Sequence, residues 1–228
     1  MESFKETYVQ VASLGRVPIS TYGLVVKSFS CPTFPDLKDL PKKSDPESSG
    51  DVETFPSVAY FKAYNIQIDL AYQGAEGSSR TAIVNFLNYI QGAEFSILDV
   101  YQNIGKRCRY ASYGNDGRYI CRGGIETLEF KITLKVNNPT GYGVFLPNGT
   151  IGAYILTDAI VYWSDGSTNS YTAGDLITKN LGAINSFAII EPLGGLRGGT
   201  EFHGMPRVIV AGDNRIDTQN LIRFTSIR

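Results

Sequence analysis

Alternating apolar and polar residues, a single helix-spaced stretch and frequent turn residues predict a mainly β protein with one short helix. The alternation is cleanest in two segments. In AYNIQIDLAY (63–72), Tyr64, Ile66, Ile68, Leu70 and Tyr72 alternate with Asn65, Gln67, Asp69 and Ala71. In IETLEFKITLKV (125–136), Leu128, Phe130, Ile132, Leu134 and Val136 face one way, and Glu129, Lys131, Thr133 and Lys135 the other. A period of two belongs to strands with one buried and one wet face. With 14 Tyr, 12 Phe and 24 Gly against 2 Met, the composition also leans toward strands and turns.

The 228 residues suffice for one large domain or two small ones. A change of texture after Pro139, toward Gly, Thr, Ser and Asn, divides the chain into a first domain over 1–140 and a small all-β module over 141–228. Within the first domain, 6–12 and 19–29 read as strands parted by a break at Gly15 and Pro18. Residues 31–56 follow as an extended arm. They hold five prolines, six acidic residues and three lysines, too few backbone donors and too much charge to build a core. Excursions of this length are functional or disordered, so two readings stand open: a mobile surface loop, or an arm that orders against a neighbouring subunit.

Ser78 and Ser79 supply caps for a helix running to about Gln91, with Ile83, Phe86, Leu87 and Ile90 on one face and Gly92 at the C-terminal stop. EFSILDVY (94–101) is the next strand. CRYASY (108–113) and RYICR (118–122) read as a hairpin around Asn115-Asp116-Gly117. The long strand 125–136 closes the unit at Asn137-Asn138-Pro139. In the second module the strand candidates are 151–163, 183–190, 207–211 and 221–227, with turns at Asn148-Gly149 and Asp165-Gly166.

A formal net charge of -1 gives no basic footprint for nucleic acid and little repulsion against self-association. No apolar run reaches the ~20 residues a membrane helix needs, and the polar start MESFKETYVQ has no signal-peptide core, so synthesis in the cytoplasm is expected. Of three cysteines, Cys31 stands alone beside Pro32, while Cys108 and Cys121 flank the predicted hairpin turn. They could bridge it, but a reducing compartment favours free thiols.

The search for chemistry is negative. The single histidine, His203, lies in a glycine-rich stretch with no nucleophile elbow. Clustered His or Cys ligands for zinc are absent. Asp213, Asn214 and Asp217 lack a calcium-loop spacing. Glu94 with Asp99, and Glu126 with Glu129, are odd numbers of residues apart and face opposite sides of a strand. Gly194–Gly199 lacks a phosphate-loop ending and reads as a flexible loop. No catalytic, cofactor or metal-binding residue is expected, and the chain is read as not an enzyme.

Lys106, Arg107 and Arg109, with Tyr110 and Arg118, form the one basic cluster. A subunit contact fits it better than nucleic acid, because Arg and Tyr are enriched in interfaces and no nucleic-acid motif accompanies them. The acidic arm, with Asp36, Asp39, Asp45 and Glu47, supplies the complementary charge. A solvated basic turn stays open beside both readings.

This order of elements resembles the N-terminal hub domain of phage distal tail proteins, the Dit family, over residues 8–143. The residues that carry the resemblance are the early Tyr22-Gly23-Leu24-Val25-Val26 step, the excursion into the alternating strand Tyr60 to Tyr72, the helix Ile83-Val84-Asn85-Phe86-Leu87, the strand Phe95-Ser96-Ile97-Leu98-Asp99, the tyrosine-rich strand Arg109-Tyr110-Ala111-Ser112-Tyr113 and the ending Asn138-Pro139-Thr140-Gly141-Tyr142-Gly143. The resemblance implies a β-barrel hub domain and a structural virion protein. It implies a ring, six-membered in that family, joining the tail tube protein to the tail-tip and baseplate hub proteins. It also implies a virion tail location, with assembly in the host cytoplasm. Residues 141–228 resemble nothing specific. Two alternatives come from the residues. A carbohydrate-binding module would use Trp163, Tyr154, Tyr162 and Tyr171. A small β-rich hydrolase would need chemistry around His203.

Overall fold

The computed structural model describes residues 6–11, 14–32, 36–39, 42–44, 51–53, 58–59, 61–99, 104–114, 117–146, 150–154, 158–182, 186–193, 196–197 and 207–209. The chain opens with β1 (Thr7–Val11) and the two-residue β2 (Val17–Pro18), then a 3-10 turn over Ile19–Tyr22 and β3 (Leu24–Ser30). The predicted strand 19–29 is therefore half turn. Gly23 ends that turn in the left-handed region (φ 66°), its N–H bonded to the Ser20 carbonyl at 2.8 Å, a conformation that favours glycine. The arm is not featureless: β4 (Lys42–Ser44) and β5 (Asp51–Glu53) pair as an antiparallel hairpin, and β6 (Val58–Ala59) follows.

The two alternating segments form the long strands as read: β7 spans Tyr64–Ala75 and β11 spans Ile125–Val136. They pair antiparallel along their whole length, from Ile125 opposite Ala75 to Val136 opposite Tyr64. Between them lie α1 (Ser79–Ile90), β8 (Phe95–Asp99), β9 (Ile104–Gly114) and β10 (Tyr119–Arg122). Ile83, Phe86 and Ile90 drive the helix into the core, where Phe86 meets Tyr22 at 5.5 Å between ring centroids. Gly92 adopts φ 84° just past the helix end, as its position in the sequence predicts.

The helix start differs from expectation. Ser78 stands at the N-cap, but its hydroxyl makes no capping bond. Glu126, reaching from β11, caps the helix instead. The Ser79 N–H donates to Oε2 at 3.3 Å and the Ser79 hydroxyl to Oε1 at 2.5 Å. These bonds, with others from the Gly77 and Ser78 amides, hold the Glu126 carboxyl below its ordinary range. A carboxylate at a helix N-terminus satisfies orphan donors and meets the positive end of the dipole.

The sheet runs in the order β2-β1-β8-β9-β11-β7-β3. Its two ends, β2 and β3, are neighbours in the chain, so one 3-10 turn brings them together without pairing them. β9 changes partner along its length: residues 104–108 pair with β8, and 109–114 with β11. The predicted hairpin between 108–113 and 118–122 is not formed. β10 pairs with β11 instead, across Gly123-Gly124, where φ is 62° and 77°; two positive φ values are what a tight two-residue hairpin demands. Cys108 is buried, Cys121 is exposed, and all three cysteines are free thiols.

After the turn at Asn138, whose side chain accepts from the Thr140 N–H and hydroxyl, comes the 141–228 segment expected from the sequence to be a second module. Its strands are β12 (Tyr142–Leu146), β13 (Thr150–Tyr154), β14 (Ala159–Trp163), β15 (Thr168–Tyr171), β16 (Leu176–Asn180) and β17 (Ser186–Pro192). The short β18 (Leu196–Arg197) and β19 (Arg207–Ile209) complete the order. The run 151–163, read as one strand, is two strands in different sheets: β12-β17-β14-β15 and β16-β13-β19. The β14–β15 hairpin turns at Asp165-Gly166 as predicted, with Gly166 at φ 89°. β18 pairs with β6, so part of the glycine-rich stretch read as a flexible loop is strand. Residues 221–227 lie outside the described residues.

Candidate assembly surface

Four strands line up across one end of the first domain. Leu24 of β3 stands opposite Tyr72 of β7, Tyr72 opposite Leu128 of β11, and Leu128 opposite Tyr119 of β10. Among the described residues no strand pairs with the outer side of β3 or of β10, so this ribbon presents two bare edges. Every residue of β10 is exposed. Ile120 and, across the turn, Ile125 are 41% and 55% exposed on one face of this edge, and Tyr119 is 58% exposed on the other. On the far edge Val25 is 51% exposed. Bare strand edges with apolar side chains are templates for further pairing.

The wet face between these edges is satisfied within the chain. Lys27 pairs with Glu129 at 2.5 Å, Lys131 with Asp69 at 3.5 Å, and the Ser28 hydroxyl donates to Asp69 at 2.6 Å. The Ser28 bond, then the two lysines, hold the Asp69 carboxyl below its ordinary range, and Lys27 does the same for Glu129. Exposed pairs of this kind add little to stability. They leave the edges as the unsatisfied part of the ribbon.

The predicted basic cluster divides between two places. Arg109 and Arg118 are exposed, and Tyr110 is half-buried against the core. Lys106 and Arg107 instead join the two modules. The Lys106 ammonium donates to the Gly141 carbonyl, and burial pushes its pKa down. The Arg107 guanidinium lies 3.9 Å from the Tyr162 ring centroid and 3.3 Å from Glu94 Oε2. Of the acidic arm, Asp36 and Asp39 are exposed beside the chain's own 61–62 segment. Leu37 bridges Phe61, and Asp39 pairs with Lys62 at 2.8 Å. Asp45 and Glu47 lie outside the described residues.

Around Lys106 and Arg107 the two modules touch backbone to backbone. A Cβ added at Gly105 of β9 would sit 2.6 Å from the Gly143 Cα of β12. Leu98 of β8 packs with Phe187 and Ile189 of β17, with Tyr8 and Tyr162 at the rim. Gln10 of β1 donates to the Trp163 carbonyl at 2.7 Å. Glu191 of β17 is half-buried there, its pKa pushed up to about 7 chiefly by desolvation, with Arg107 acting to lower it and Glu94 to raise it. Sequence reasoning missed Glu94, Tyr162 and Glu191 as one group with Arg107, since 97 residues of chain separate Glu94 from Glu191.

The other expected sites resolve as follows. Glu94 accepts from Asn137 at 2.9 Å as well as from Arg107, Asp99 accepts from the Thr7 hydroxyl, Glu126 caps the helix and Glu129 pairs with Lys27. Each carboxylate thus has a structural partner of its own. Trp163, offered as a sugar platform, is fully buried, with its indole N–H on Asn169 at 2.9 Å. Tyr162 lies under Arg107 and Tyr171 packs on the module core. His203, Asp213, Asn214 and Asp217 lie outside the described residues.

No family model matches the chain, and no curated protein matches it. Among solved structures its neighbours are phage Dit and baseplate proteins. It is similar to SPP1 Dit (gp 19.1), described as a paradigm of the hub adsorption apparatus in phages infecting Gram-positive hosts. The identity is 12% and the TM-score 0.39, over 83% of this chain and 95% of that one. It is similar to a chain of the phage p2 baseplate in its activated conformation with Sr, at 9% identity and a TM-score of 0.42, over 81% and 98%. A baseplate structure with Ca gives 9% and 0.40, over 91% and 95%.

Proposed function

We propose that the chain is a structural component of a phage tail, a distal-tail or baseplate hub subunit that assembles head to tail into a closed ring between tail tube and tail tip. The observation that carries this reading is the four-strand ribbon with two different bare edges. An edge at β3 and an edge at β10 are not the same surface, so joining them makes a heterologous contact, which closes into a ring when the rotation between copies allows it. Pairing β10 of one copy with β3 of the next satisfies backbone groups on both and covers Tyr119 and Ile120. The resemblance of residues 8–143 to the Dit hub domain sets the expected ring at six copies, and no reaction is required of it.

The arm adds a second contact. An isolated two-stranded hairpin is marginal in water, and β4 and β5 pair only with each other among the described residues. Docked on a neighbouring copy, the arm would bring Asp36, Asp39, Asp45 and Glu47 toward Arg109 and Arg118. Size-exclusion chromatography with light scattering, and negative-stain images of concentrated protein with and without tail-tube protein, test the reading. Six-fold rings are expected. A chain that stays monomeric at every concentration, and that ignores the tube protein, overturns it.

A further inference from the structure

We propose that the junction between the two modules is a proton-operated clasp, closed in acid and loosened at neutral to alkaline pH, with Glu191 as the group that works it. This concerns contacts within one chain and stands apart from any ring. The geometry brings a carboxylate into the seam where two backbones already meet. Gly105 and Gly143 leave no room for side chains between β9 and β12, and the Glu191 Cγ lies 3.1 Å from where a Cβ at Gly141 would stand.

The groups that face Glu191 come from each packed element. Lys106 and Arg107 project from β9, Glu94 from the turn before β8, and Tyr162 from β14, where its hydroxyl bonds to Glu191. Arg107 is shared. It pairs with Glu94 at 3.3 Å and covers the Tyr162 ring, while Lys106 is engaged on the Gly141 carbonyl. An ionised Glu191 therefore adds a second carboxylate to a seam whose cations already have partners, and does so with part of its hydration removed. Desolvation and Glu94 together outweigh Arg107, the Tyr162 hydrogen bond and Lys106, and push the carboxyl up to about 7 from its ordinary 4.5.

The direction follows from linkage. The docked state binds the Glu191 proton more tightly than the undocked state, so docking is strongest below about pH 4.5 and weakens as pH rises through about 7. Within that window the docking constant falls by up to about tenfold per pH unit. Undocking would bare Leu98, Phe187 and Ile189, the apolar floor of the seam.

Hydroxyl-radical footprinting of the full chain at pH 5.5 and 8.5 reads this directly, with exposed Leu176, away from the seam and from both strand edges, as the internal reference. Labelling of Leu98 and Phe187 is expected to rise severalfold at pH 8.5. In Glu191→Gln, which fixes the neutral form, labelling should stay at the acid level at both pH values. Glu94→Gln, a change at an exposed side chain, should keep the transition but move its midpoint to lower pH. Equal labelling at both pH values in the parent chain, or a rise that survives in Glu191→Gln, overturns the clasp.

Discussion

β8 and β10 are short strands of one domain that use apolar residues in opposite ways. β8 is buried at all five positions, β10 exposed at all four. Phe95 and Ile97 of β8 enter the main core, while Leu98, of opposite parity, meets Phe187 and Ile189 of the second module. β10 has β11 on one side and, among the described residues, no strand on the other. The difference teaches that strand chemistry follows position in the sheet. FSILD is a central strand covered on both faces; YICR is an edge that no other described strand covers.

The contrast is tested first where it is largest. Phe95→Ala removes a fully buried ring from β8 and should cost about 3–5 kcal/mol of unfolding free energy, read by urea denaturation. Gly105→Ala comes next. Its new methyl would meet the Gly143 Cα at 2.6 Å, and because the obstacle is backbone the seam must spread, at about 1–3 kcal/mol. A Gly105→Ala chain as stable as the parent would show that the two modules are not held backbone to backbone.

How far the sequence revealed this arrangement follows from which interactions were local. β7, β11 and α1 were legible because period-two and helix-spaced patterns are written along single segments. The sharing of β9 between two partners was not, since Cys108 opposite Phe95 and Arg109 opposite Lys135 are long-range choices. The Asn-Asp-Gly signal pointed to a hairpin that Gly123-Gly124 makes instead. Part of the candidate surface was visible as a basic run, yet Lys106 and Arg107 turn inward because Gly105 admits β12 beside them. Glu126 looked like one of two idle carboxylates; only the folded chain brings it to the N-terminus of the helix.

Glu126 gives the next test, smaller than the glycine step. Its folded carboxyl is held low by the Ser79 hydroxyl and by the amides of Gly77, Ser78 and Ser79. A depressed carboxyl contributes stability that is present above its unfolded value, near 4.5, and is lost as pH falls through the lower folded value. Glu126→Gln should therefore lower the thermal midpoint at pH 7 and shrink the loss seen on acidification below pH 4.5. A midpoint unchanged at pH 7 would mean that the cap from β11 adds nothing to α1.

The smallest effect on stability carries the most weight for function. Ile120→Lys places a charge on an exposed edge strand, with water on the outer side of the ladder. The isolated chain should change by no more than about 0.5 kcal/mol. Edge lysines are a known device against strand addition, so the same substitution should abolish β10–β3 pairing between copies. The two readouts together separate a surface position from an interface position. A chain that denatures like the parent but no longer gives rings by light scattering assigns β10 to assembly. A chain that still forms rings leaves its edge without that role, and the contrast with β8 becomes one of solvent exposure alone.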